Sequence, residues 1–331
     1  MNKFRVISDL HLDINKNYPI SLDDDVFTVI CGDTSGYTNM TIDWIKKNVK
    51  NGVGVSGNHL PYNDDGKTMQ ELRLELAKAF PASNAFTYLD CETGVFIKEV
   101  DGILFIGTCM YTDMHIKHSI MNPTGDPEIN MRGSQYNMND YHWGIKSKEW
   151  PLGKDNSPAV KHITARDYMD WFKNAYNMIE KVLNDNEASA APKPVVLITH
   201  HPLIVELAYH NWYMDNPDHI WNPRDYNLAS YVSDMHMWLS RHNSIKCYCC
   251  GHIHAVEKKW RNYKLKHNDG SEFLVVNNAR GYVCRGHDVN FVKDLFVNTI
   301  TWEVEQVLND EDEAAKKKRS DEFMKNLAWL I

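Results

Sequence analysis

Short apolar runs along this chain stop, one after another, on side chains that can hold a metal ion. The run "VISDLH" stops on Asp9 and His11, and "VICGD" on Asp33. "GVSGNH" ends on Asn58 and His59, "LITHH" on His200 and His201, and "CCGHIH" on His252 and His254. Two carboxylates, an amide oxygen and several imidazoles make a mixed nitrogen and oxygen set without thiolate. Such a set suits manganese, iron or zinc rather than an all-oxygen calcium site. Side chains two apart on extended backbone point the same way, so Asp9 with His11, and His252 with His254, are each expected to face a shared centre. The set is too large for one tetrahedral ion and fits two ions that share a carboxylate. Ions paired ~3.5–4 Å apart hydrolyse phosphate esters by clamping the attacking and leaving oxygens.

Such convergence needs strands that end together. Residues 4–8, 26–31 and 52–56 are short, apolar and rich in β-branched residues, as buried strands are. Between the last two, "TIDWIKKNVK" carries Ile42, Ile45 and Val49 at helical spacing. The alternation predicts an α/β sheet, whose ligands collect at the carboxyl ends of strands. A helix is predicted over 68–80 and a hairpin across Asp101-Gly102 within 94–110. A long amphipathic helix over 164–185 opens with a capping box from Thr164 to Asp167. "VVLITHHP", "SIKCYCCGHIH" and "EFLVVNNARGY" read as further strands. Residues 111–160 lose periodicity and are expected to form an irregular insert near the site. One domain is predicted over 1–308, followed by a charged tail over 309–331. That tail carries "KKKR" and then Phe323, Leu327 and Leu330 at helical spacing, as a helix docked on the body or on a second copy of the chain would.

The 331 residues are 43% hydrophobic, enough for a large core. Lys and Arg number 36 against 44 Asp and Glu, a net charge of −8 that disfavours nucleic acid as a non-specific partner. The start "MNKFRVISDL" reaches Asp9 before its apolar stretch is long enough for a signal peptide, so none is expected, and no run approaches the ~20 apolar residues of a membrane span. Cysteines number 7, an odd number, and a reduced, soluble, cytoplasmic chain without membrane partners is expected.

D-x-H, G-D, G-N-H, H and G-H-x-H follow one another in "SDLHLD", "CGD", "GNH", "THHP" and "GHIH". In this order and spread they resemble the calcineurin-like metallophosphoesterases, over residues 1 to about 305. "FIGTCMYTD", "MNDYHW" and "VVNNARGY" are similar to segments of a bacterial and phage branch of that family. The resemblance implies a four-layer α/β/β/α sandwich of two mixed sheets. It implies that Asp9, His11 and His254 hold one metal ion, that Asn58, His200 and His252 hold a second, and that Asp33 bridges them. Manganese is the first expectation, iron or zinc the alternatives. His59, not a ligand, would act as the acid beside the leaving group, with attack in line by a metal-bridging hydroxide. The expected substrate is a small phosphorylated molecule, a phosphodiester or nucleotide-type compound. The rivals are a nuclease, a phosphomonoesterase or protein phosphatase, and a non-catalytic scaffold. The chain departs from the family pattern at Gly36, where "GDTSG" lacks a second Asp, at Leu60, where an acid commonly follows G-N-H, and at Ala279. Asp64 or Asp65 could replace the acid missing at Leu60.

Several residues read two ways. His201 is an alternative to His200 as ligand, or a substrate contact. Arg280 in "NARGY" either grips a substrate phosphate or caps a loop. Tyr111, with Tyr141, His142 and Trp143, either walls the pocket or fills the core. Cys247 and Cys249 are expected to fill the buried face of their strand rather than bind zinc, because no second cysteine pair lies at ribbon spacing.

Overall fold

Alternate residues of the β-branched runs face two different cores, and this alternation builds the architecture. In the structure, a computed structural model, the described residues are 1–22, 25–63, 67–117, 122–144, 146–149, 159–209, 224–254, 256–306 and 318. The strands in chain order are β1 (Lys3–Ile7), β2 (Thr28–Ile30), β3 (Gly52–Gly54), β4 (Phe86–Tyr88), β5 (Ile97–Val100), β6 (Ile103–Thr108) and β7 (Lys146–Glu149). They continue as β8 (Ala159–His162), β9 (Val195–Thr199), β10 (Ile245–Cys250), β11 (Asn262–Lys266), β12 (Glu272–Asn277), β13 (Leu295–Asn298) and β14 (Val304–Gln306). Two six-stranded sheets result, ordered β14-β13-β1-β2-β3-β4 and β11-β12-β10-β9-β6-β5. Each is mixed: β1 to β4 are parallel with β13 antiparallel, and β6, β9, β10 and β12 are parallel between antiparallel β5 and β11.

The two sheets share one apolar seam. Phe4, Val6, Val29 and Val53 of the first pack with Phe105, Val196, Ile198 and Val276 of the second. Cys247 and Cys249 lie in this seam, fully buried, as their strand alternation predicts. The residues between them in sequence, such as Ile7, Ile30, Ile106 and Leu197, face outward into a second core. Helices α1 (Thr38–Asn48), α2 (Met69–Ala79), α3 (Pro127–Asn137) and α4 (Ala165–Glu187) supply its other side through Ile45, Leu72, Leu76, Met131, Ile179 and Leu183. The layers are therefore helix, sheet, sheet, helix. The predicted box at Thr164 caps α4, and Thr68 with Glu71 forms a second one on α2.

The expectation of an irregular insert over 111–160 is corrected. The segment holds α3, a π-helical turn at Asp140–Gly144, and β7 paired antiparallel with β8. Asp126 caps α3 with Pro127 in the first turn, a start signal that was present although apolar residues do not repeat at helical spacing. Asn130 then fixes the helix by donating to the carbonyls of Met114 and Ile116, each at 2.8 Å. Asp64, Asp65 and the tail with Phe323, Leu327 and Leu330 lie outside the described residues, as does the side chain of Trp143. Among the described residues, no helix is long and apolar enough to cross a membrane.

Candidate metal centre

Parallel pairing brings the ends of β1, β2 and β3 to one edge, with Ile7 opposite Ile30 and Ile30 opposite Gly54. In the facing sheet, β9 and β10 end beside each other in the same way. The loops that leave these ends carry Asp9, His11, Asp33 and Asn58 from one sheet and His200, His252 and His254 from the other. The backbone at four of them is left-handed: φ is 54° at Asp9, 43° at His11, 47° at Asp33 and 65° at His252. Such conformations cost side-chain-bearing residues of order 1–3 kcal/mol and cluster at functional sites. The kinks turn the side chains inward, where the extended backbone assumed above would not.

Three groups of potential ligand atoms form, each within 4.8 Å of one another: Asp9, His11 and His254; Asp33, His200 and His252; and His11, Asp33 and His59. His252 and His254 therefore face different groups, which corrects the expectation that they share a centre. Nε2 of His254 lies 3.0 Å from Asp9 Oδ1 and 3.1 Å from His11 Nε2. Nε2 of His200 lies 3.0 Å from Asn58 Oδ1, 3.2 Å from His252 Nδ1 and 3.4 Å from Asp33 Oδ2. His200 Nδ1 faces the Cys31 carbonyl at 2.8 Å; donation there leaves Nε2 free for a ligand.

Glycines let these loops touch. A Cβ on Gly57 would fall 1.9 Å from Asp33 Oδ1, so "GNH" needs glycine for space. A Cβ on Gly32 would fall 2.4 Å from His200 Nδ1, and one on Gly251 2.0 Å from Ser8 Oγ. Asp13 ties the turns together: it accepts from Gly36 N at 3.0 Å and from Asn63 Nδ2 at 2.9 Å. A side chain at Gly36 would meet both of those groups.

Burial sets the charge states. It holds His11 and His252 well below the ordinary imidazole range, so both are neutral. Burial alone would raise the Asp33 pKa, but His200 and His59 reverse the effect and hold it well below the usual carboxylate range. Burial likewise pulls His200 down, yet the Asp33 carboxylate pushes it up to about 9.

The remaining candidates take other places. His201 is fully buried and packs its ring on His252 at 4.3 Å, outside the three groups. Arg280 donates to the Tyr18 carbonyl at 2.6 Å, the loop-holding alternative. Tyr111 is buried against Tyr168 and Trp171. Tyr141 is buried beside Tyr168, while His142 faces the Tyr136 carbonyl. Leu60 is buried in the outer core, so no acid follows His59; Tyr62 instead stacks on the His59 ring at 4.1 Å.

Other residues join the site that sequence reasoning did not select: Asp140, Tyr62, Tyr282, Arg285 and His287. Tyr282 covers His11 at 4.7 Å and places its hydroxyl 3.5 Å from His59 Nε2. Its position in "NARGY", directly after the glycine that admits His254, was the available signal. A cavity of about 440 Å³ opens over Asp33, Asn58 and His252, with Tyr62, Tyr282 and Arg285 along it. That volume suits a small molecule.

No family model and no curated protein matches the chain. Among solved structures, a phosphopantetheinyl hydrolase from Mycobacterium tuberculosis aligns over 93% of this chain and 96% of that one, with a TM-score of 0.57 and 16% sequence identity. At that identity the likeness concerns the fold. The chain has the four-layer, two-sheet architecture of the calcineurin-like metallophosphoesterases.

Proposed function

We propose that this chain hydrolyses phosphate esters with two divalent metal ions, manganese first and iron or zinc as alternatives. The observation that carries the reading is the place of Asp33, whose Oδ2 lies 3.4 Å from Nε2 of His200, in one ligand group, and 4.0 Å from Nε2 of His11, in the group with Asp9 and His254. Asp9, His11 and His254 would hold one ion, Asn58, His200 and His252 the other, and Asp33 would serve both. The donor set fits: ring nitrogens of His11 and His254 lie 3.1 Å apart and those of His200 and His252 3.2 Å apart, so that one cation in place of the shared proton would take a lone pair from each ring. Bound ions would supply Lewis acidity, lowering the pKa of a water and neutralising phosphoryl oxygens. His59 lies within the third group and is the residue to protonate the leaving oxygen. Arg285 lines the cavity and offers a cation to the substrate's anionic part. The cavity's size and tyrosine lining support a phosphodiester or nucleotide-type small molecule, and the hydrolase named among the structural neighbours agrees with an ester-cleaving role.

Activity on bis(p-nitrophenyl) phosphate and p-nitrophenyl phosphate after manganese loading tests the reading. The diester is expected to be favoured, and Asp33→Asn to lower the rate on the order of 10³-fold. Unchanged activity in Asp33→Asn would remove that residue from the mechanism. Turnover of the monoester alone would move the reading to a phosphatase.

A further inference from the structure

Asp140 is fully buried, lies outside the metal-binding motifs, and opens the π-helical turn after α3. Its carboxylate collects donors on both oxygens. Asn58 Nδ2 lies 3.2 Å from Oδ1 and 3.1 Å from Oδ2. The hydroxyls of Tyr62 and Tyr168 donate to Oδ1 and Oδ2 respectively. These contacts join three separate parts of the chain: the loop after β3, the turn after α3, and α4.

The chemistry of an amide makes the contact with Asn58 decisive. Its oxygen and nitrogen ends have the same shape but opposite roles, and only the oxygen can bind a cation. A carboxylate accepts and does not donate, so Asp140 selects the nitrogen end. The oxygen is thereby turned to the far side, where it lies 3.0 Å from His200 Nε2. Tyr62, held by the same carboxylate, stacks on His59 with ring planes 22° apart. Asp140, in the wall of the cavity, thus reaches a proposed ligand directly and the proposed acid through Tyr62.

We infer that Asp140 is a positioning residue, which keeps Asn58 oxygen-first toward its metal ion and keeps Tyr62 against His59. This rests on the two-ion reading above. The test titrates manganese into the full chain against a chelating dye and follows the spin-coupled two-manganese signal by electron paramagnetic resonance. In Asp140→Asn, which keeps the shape, one of the two affinities is expected to fall ~10–100-fold while the other holds within about threefold. The coupled signal should be lost at metal concentrations that saturate the wild type. In an Asn58→Ala background the same substitution should have little further effect on affinity, because the two residues act as one unit. Two unchanged affinities, or an equal fall in both, would overturn the inference. Absence of manganese uptake by the wild-type chain would instead overturn the metal reading, and is seen before any variant is made. Should Asp140→Asn give no folded protein by circular dichroism, Tyr168→Phe asks the same question. It deletes one donor to Asp140 and keeps the ring; a several-fold fall in the same affinity supports the inference, and no change overturns it.

Discussion

An imidazole beside a carboxylate must choose between a proton and a metal ion. At His200, burial favours the neutral ring, but Asp33 outweighs it and pushes the pKa up to about 9. Without metal, the ring is therefore protonated at neutral pH. Its Nδ1 side is engaged by the Cys31 carbonyl, so the proton that an ion must displace is on Nε2. His11 and His252, held low by burial, are already neutral, and Asp33 is already ionised. Metal uptake at pH 7 is accordingly expected to release about one proton from His200, and affinity to strengthen as pH rises toward 9. Calorimetry in two buffers of different ionisation enthalpy measures this, and zero release would show that His200 is not a ligand. Residue types of this kind are legible in a sequence because each falls within a few residues of the end of an apolar strand. Asp140 was not legible: 82 residues separate it from Asn58 and 28 from Tyr168, and no local pattern links them.

At the scale of elements, the strands and the long helices could be read because their periodicities are strong. The pairing of β1 with β13, from opposite ends of the chain, could not, because it depends on contacts between distant segments. Nor could the fate of Tyr111, which packs around a cation carried into the interior by α2. Arg73 of that helix is buried, ion-paired to Asp90 at 3.2 Å, and lies 4.9 Å from the Trp171 ring of α4 and 5.6 Å from that of Tyr111. Removing one partner of such a pair leaves an uncompensated buried charge. Asp90→Asn is expected to lower the free energy of unfolding by ~3–5 kcal/mol, whereas Arg73→Met combined with Asp90→Asn should cost less than the single change. Urea denaturation with an unchanged slope measures both. Equal losses in the single and double variants would show that packing, not charge, holds α2 there.

For the whole molecule, the decisive fact is that neither sheet contains the site. Loops after β1, β2 and β3 bring Asp9, His11, Asp33 and Asn58; those after β9 and β10 bring His200, His252 and His254. The apolar seam that joins the sheets runs up to Cys31, Val55 and Cys249, short of these residues, and Gly251 marks a place where the two sides meet: any side chain there would strike Ser8 and Asp9. An ion gripped by Asp33 from one sheet and by His200 and His252 from the other is therefore a clasp across the seam, and unfolding must release it. Free manganese at 100 times its dissociation constant is expected to stabilise the fold by ~2.7 kcal/mol for one site, and a chelator to reverse the gain. Asp33→Asn should abolish most of it, because that carboxylate lies between His11 of one ligand set and His200 of the other. Thermal unfolding with and without manganese reads the effect directly. If the variant were stabilised as much as the wild type, the ion would be binding away from the seam, and the two sheets would be held by apolar packing alone.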